Sequence, residues 1–189
     1  MKKFLLIVAL ATFSFASAQK GTILVGGSVG YTSEKESFRG FESKTSSVDF
    51  SPKVGYQFHD SWTAGIETSF GSTKRPEERF DGSTVDVKTN TTKVGAFLRY
   101  TVPFSESFAF FTELGAGYKA RKVEDAKQNG MYVGITPALF INMSKGFGLN
   151  FNIGGLGYST LNYKDNGPKT NSFDFNLGKA FNVGISKNF

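Results

Sequence analysis

The chain has 189 residues with no cysteine, one histidine and one tryptophan, and it carries 22 glycines and 21 phenylalanines at a formal charge of +6. Lacking cysteine, and with His59 as its single histidine, it cannot build a zinc finger, a cysteine nucleophile, a thiol redox centre or a disulfide scaffold. The one long apolar run lies at the extreme N-terminus and is shorter than the roughly 18 residues of a membrane helix, and the aromatic and aliphatic content is too high for a disordered chain.

The first segment is an address. Lys2 and Lys3 precede the apolar stretch Phe4 to Leu10, and Ala16-Ser17-Ala18 forms a small-residue cleavage site before Gln19. This order of charge, apolar run and small residues predicts a secretory signal peptide over residues 1–18, leaving one domain over residues 19–189. Lys2 and Lys3 leave with the segment, and the remaining basic residues are dispersed along the chain, which is no footprint for nucleic acid.

From Gly21 onward the period is two. Val48, Phe50, Pro52, Val54, Tyr56 and Phe58 alternate with Ser47, Asp49, Ser51, Lys53, Gly55 and Gln57, so one face is wholly apolar. In chain order the same pattern predicts strands over Ile23 to Tyr31, Ser47 to Phe58, Trp62 to Phe70, Val94 to Phe104, Phe108 to Tyr118, Val133 to Met143, Phe147 to Ile153 and Phe173 to Phe189. Their connections alternate between tight and long. His59-Asp60-Ser61, Ser105-Glu106-Ser107 and Ser144-Lys145-Gly146 are tight, whereas Glu34 to Thr45, Ser72 to Val85, Ala120 to Asn129 and Leu161 to Asn171 are expected as long charged loops. Short turns on one rim and long loops on the other mark an all-β, eight-stranded antiparallel up-and-down transmembrane β-barrel with its short turns in the periplasm. The three tight hairpins also superpose without a gap, each with an aromatic after the turn (Trp62, Phe108, Phe147) at the expected periplasmic interface.

Together with the segment Gly154-Gly155-Leu156-Gly157-Tyr158 and the closing Asn182 to Phe189, these features make the chain resemble the small outer membrane β-barrel proteins, the OmpA/OmpX-like barrels of the porin family. The resemblance implies residence in the outer membrane of a double-membrane bacterium. It also implies a C-terminal strand read by the barrel-insertion machinery, whose signal Gly184 and Phe189 match, while Lys187 stands where an aromatic is usual.

The inward parity collects Asp49, Lys53, Glu67, Lys93, Arg99, Glu113, Lys119 and Asp174, four of each sign. If Phe58 faces Trp62 across its turn, Lys53 faces Glu67; if Phe104 faces Phe108, Arg99 faces Glu113. Those four form an expected charge belt at one height, with inward glycines such as Gly55, Gly65, Gly95 and Gly115 leaving room for long side chains to cross an interior little wider than its own contents. Lys93 and Lys119 also face each other, about eleven residues above the turn and near the outer edge. With Arg121, Lys122 and Lys127 they make an expected basic rim, interrupted by Glu124 and Asp125, that lipopolysaccharide phosphate would neutralise.

Other motifs carry no chemistry. His59, Asp60 and Ser61 are consecutive turn residues and cannot align as a catalytic triad. The glycines around 26 and 155 precede no helix, and Lys164 to Gly167 lacks the distal carboxylate of a calcium loop. The expected protein is therefore non-enzymatic, without metal or cofactor, in contact with outer membrane lipid and structural or interactive through its outer loops. The alternative is a narrow channel for ions or small solutes. No motif identifies a surface ligand.

Overall fold

The computed structural model describes residues 20–38, 41–78, 83–145, 147–163 and 167–189. The expected signal segment, with its Ala18 cleavage site, lies outside them, as do residues 164–166. Alternating side chains give each strand an outer and an inner face. Eight strands follow: β1 (Ile23–Phe38), β2 (Phe41–His59), β3 (Trp62–Glu78), β4 (Thr84–Pro103), β5 (Phe108–Val123), β6 (Ala126–Ser144), β7 (Phe147–Tyr163) and β8 (Lys169–Asn188). They form a closed antiparallel barrel in chain order, with β8 returning to β1 from Leu24↔Asn188 to Val29↔Val183. Closure leaves no sheet edge unpaired along that seam. Phe189 extends it, exchanging backbone hydrogen bonds with Ile23 at 2.9 and 3.0 Å. Gly184 sits where a Cβ would stand 2.7 Å from the Gly27 carbonyl oxygen, so a side chain there would push the seam apart.

The apolar parity faces out: Val29, Phe50, Ile66, Leu114, Ile135 and Ile185 are all exposed. Aromatic residues bound this band at both ends, with Trp62, Phe108 and Phe147 beside the tight turns and Phe70, Tyr118, Tyr158 and Phe173 toward the long hairpins. From Trp62 to Phe70 or Phe108 to Tyr118 the band covers the roughly 9–11 residues a tilted strand needs to cross the hydrocarbon.

Four expectations need correction. The segments expected as long loops are mostly strand: Lys35 pairs with Lys44, Arg75 with Val87, Lys122 with Lys127, and Leu161 with Thr170. Beyond the membrane both faces of a hairpin are wet, so both carry polar residues; the alternation that reveals a strand disappears while its hydrogen-bonded ladder continues. In the third hairpin only Glu124 and Asp125 remain as the turn, with Glu124 at φ 51°. Similarly, β7 does not stop at Ile153 but runs to Tyr163, through a register shift between Asn152 and Gly154 where Gly154 takes φ 101°. That bulge moves the outward set from odd residues (Phe151) to even ones (Leu156), which breaks the period in the sequence. A smaller shift near the first tight turn places His59, and not Phe58, opposite Trp62, while Lys53↔Glu67 above it keeps the expected register. At the second turn β4 ends at Pro103, and Phe104 lies in the turn, its N–H bonded to the Phe108 carbonyl at 2.9 Å.

Candidate functional site in the lumen

Inward glycines on β2 to β5 create grooves in the inner wall, and large side chains fill them from other strands. A Cβ at Gly55 would meet the Phe97 ring at 2.8 Å, and one at Gly115 would meet Glu67 Oε1 at 2.5 Å. The half of the interior beside the tight turns is packed this way around Leu24, Phe97, Ala109, Phe111 and Ala138, all buried. Asn150 and Ser186 hydrogen-bond reciprocally there at 3.0 and 3.3 Å.

On this packed layer rests the charge cluster. Lys53↔Glu67 and Arg99↔Glu113 are directly opposed across their ladders. The side chains, however, choose differently from the ladder. Glu113 is the hub: its Oε2 accepts from Arg99 Nε at 3.0 Å and Nη2 at 2.8 Å, and its Oε1 accepts from Lys53 across the lumen, whose distance to Glu67 is 3.8 Å. Arg99 and Glu113 are each 6 % exposed, and the Arg99 guanidinium lies 3.9 Å from the centre of the Phe111 ring. This stacking, and two hydrogen bonds that converge on one carboxylate oxygen, hold the guanidinium where water cannot solvate it. Glu67 instead accepts a hydrogen bond from the Tyr132 hydroxyl at 2.8 Å. Tyr132 escaped the sequence reading because its strand was expected to begin at Val133; its even-numbered, inward parity on β6 was the available signal.

Above the cluster the interior opens toward the long hairpins. A cavity of about 470 Å³ has Lys53, Glu67 and Glu113 in its floor and Lys93, Lys119, Tyr132 and Asp174 in its walls. Beside it a second, of about 420 Å³, is lined by Asp49, Arg75, Glu77 and Arg121 and shares Lys93 and Lys119. Lys93 and Lys119 are ladder partners, as expected from the sequence. Lys119 donates to Ser159 Oγ at 3.0 Å, and the Lys93 ammonium lies 5.4 Å from the centre of the Tyr132 ring.

The expected basic rim is not one patch. Lys93, Lys119 and Arg121 line the inner cavities, whereas Lys122, paired with Lys127, lies on the opposite face of the same sheet. Successive strand residues alternate between faces, so neighbours in sequence such as Arg121 and Lys122 are separated by the barrel wall. At the first tight turn the Ser61 N–H donates to His59 Nδ1 at 3.2 Å, a local turn contact. Among the described residues no group of three or more His, Cys, Asp or Glu is placed to hold a metal ion.

The family description "Outer membrane protein beta-barrel domain" matches residues 4–181. No curated protein matches the sequence. Among solved structures, the outer membrane protein OprG from Pseudomonas aeruginosa is similar over 90% of this chain and 97% of its own, with 13% identity and a TM-score of 0.52. The attachment invasion locus protein Ail of Yersinia pestis aligns with 90% of this chain and 100% of its own, at 16% identity and a TM-score of 0.42. At such identities the likeness to OprG concerns the fold.

Proposed function

The chain belongs to the family of outer membrane protein beta-barrel domains and so resides in the outer membrane of a Gram-negative bacterium, and from that premise we propose that it is a non-enzymatic barrel acting through its outer hairpins. Its role is structural, or it contacts partners at the cell surface. The observation that carries this reading is the floor of the lumen: Arg99, Glu113 and Lys53 bonded together over a packed layer of Phe97 and Phe111. Eight strands enclose little space beyond their own side chains, and steady aqueous pores belong to barrels with about twice that number. The hairpin extensions of β1 to β8 are then the parts free to meet other molecules. In this reading the signal segment is removed after Ala18, and Gly184 and Phe189 present the last strand to the insertion machinery.

The test is electrical. Purified protein in a planar bilayer is expected to give no stable conductance and at most small, brief events as the Lys53, Glu113 and Arg99 contacts rearrange. Large, steady, voltage-independent openings would overturn the reading. A second reading, a narrow path for ions or small solutes, is favoured by the cavity above the floor. It requires any small events to change their ion selectivity in Arg99→Gln.

A further inference from the structure

One level of the inner wall serves both cavities above the charge cluster. Ser69 on β3, Lys93 on β4 and Lys119 on β5 are successive ladder partners, Ser69↔Lys93 and Lys93↔Lys119, and all three line the larger cavity and the smaller one alike. They form a neck whose polar groups are donors. Ser69 Oγ accepts from the Ser51 hydroxyl at 3.0 Å, which leaves its own proton to give. Lys119 donates one N–H to Ser159 Oγ and keeps two, and Lys93 lies over the Tyr132 ring. Among the described residues no carboxylate forms an ion pair with either ammonium.

Burial decides the sign of the site. Lys93 and Lys119 are half-buried, whereas the carboxylates above the floor, Asp49, Glu77 and Asp174, are exposed, and water screens an exposed charge far more than an enclosed one. In the smaller cavity Arg75 and Arg121 offset Asp49 and Glu77, so its excess charge is that of the two lysines. Asp49 lies over Gly71, where a Cβ would meet its Oδ1 at 2.6 Å, and Asp174, on β8 opposite Gly157, acts on Lys119 through space without bonding to it. The floor offers no compensation either: Glu113 is held by Arg99 and Lys53, and Glu67 by the Tyr132 hydroxyl. Two like charges opposed on one ladder are unfavourable unless something neutralises them, and the low-dielectric wall concentrates their field in the neck.

We infer that the neck binds a small phosphate-class anion, inorganic phosphate or the phosphate of a small organic ester, whose oxygens accept from Lys93, Lys119 and Ser69. A phosphate carries enough charge and enough acceptor oxygens for two ammonium groups and a hydroxyl at once, and bonds between ions of this kind are stronger than neutral ones. The cavities of about 470 and 420 Å³ leave room on either side of the neck for an organic remainder. This goes beyond a structural or surface role by giving the lumen a ligand of its own. It rests on the sealed-floor reading only for the route, entry and exit both being at the long-hairpin end.

The experiment titrates inorganic phosphate, and separately glycerol phosphate, into the full barrel in non-ionic detergent, with the heat of binding as the readout. Affinity is compared for the wild type, for Lys93→Gln/Lys119→Gln in the neck, and for Lys122→Gln/Lys127→Gln on the opposite face of the wall. The wild type should bind saturably, and the neck variant at least about tenfold more weakly, since it loses both charged donors. The outer variant should match the wild type. Tighter binding of glycerol phosphate would identify an organic ester as the ligand and the reverse order free phosphate, and either order supports the site. Absence of saturable binding, equal binding by the neck variant, or an equal loss in the outer variant would overturn it, as would tighter binding of methylammonium than of phosphate. A heat-shifted gel band verifies folding; if the neck variant lacks it, Lys93→Gln alone replaces it, with about a threefold loss expected and no loss overturning the proposal. Conductance is read separately, so a leaking lumen would sink the sealed-floor reading and leave the anion site standing, whereas a silent bilayer with no phosphate binding would sink the anion site alone.

Discussion

Glu113 accepts from two cations at once, Arg99 beside it and Lys53 from across the lumen, and it is the most enclosed carboxylate of the cluster. Removing it strands Arg99 over an apolar layer and leaves Lys53 only Glu67 at 3.8 Å, and a lone buried charge is far more costly than an intact pair is favourable. Glu113→Ala is therefore expected to destabilise the barrel by about 3–5 kcal/mol in denaturant unfolding from lipid vesicles. Glu67→Ala should cost less, because Lys53 keeps Glu113 and the main loss is the hydrogen bond from Tyr132. A double-mutant cycle should find stronger coupling for Lys53 with Glu113 than for Lys53 with Glu67; the reverse order would show that the ladder partner is the energetic one. Cross-strand numbering located all four charges, but a lysine stem is long enough to bypass its ladder partner for a carboxylate on another wall.

At the scale of the hairpin, the membrane-crossing part of each strand and its outer extension rest on different physics. The former exposes apolar side chains to lipid and packs its inner face; the latter is wet on both faces and held mainly by its ladder. Joining Arg75 to Val87 through Asn-Gly, a pair suited to a two-residue hairpin turn, should leave the barrel able to fold, because the paired residues removed, from Pro76↔Asp86 to Glu78↔Thr84, lie outside the apolar band. The check is retention of the heat-shifted band on gels; its loss would mean that the extension helps to close the barrel. Gly154 illustrates an opposite dependence, since its φ of 101° permits the bulge that re-registers β7 with β8 inside the wall.

The whole molecule turns its apolar surface outward, a distribution that in water would be an aggregation hazard. The protein should require detergent for a monodisperse state, and unboiled samples should migrate differently from boiled ones because the ring of hydrogen-bonded strands resists denaturation by detergent alone. A soluble monomer without detergent would contradict the barrel. Lumen and exterior thus differ: an open, charge-lined cavity inside at the long-hairpin end, packed side chains at the tight-turn end, and an apolar band around the middle.

Strand number, the inward and outward faces, the tight turns and the Lys53↔Glu67 and Arg99↔Glu113 registers were all legible along the chain, because a period of two in a half-buried strand writes the two environments directly into the residue order. The length of the hairpins was hidden, since two wet faces leave no alternation, and so was the continuation of β7, where a bulge at Gly154 reverses the parity. Only closure of the barrel decided the rest. Rolling the sheet brought Lys53 to Glu113 and Tyr132 to Glu67. Linear spacing fixes the face on which a side chain emerges, whereas the partner it meets depends on curvature and register around the ring, which no single strand contains.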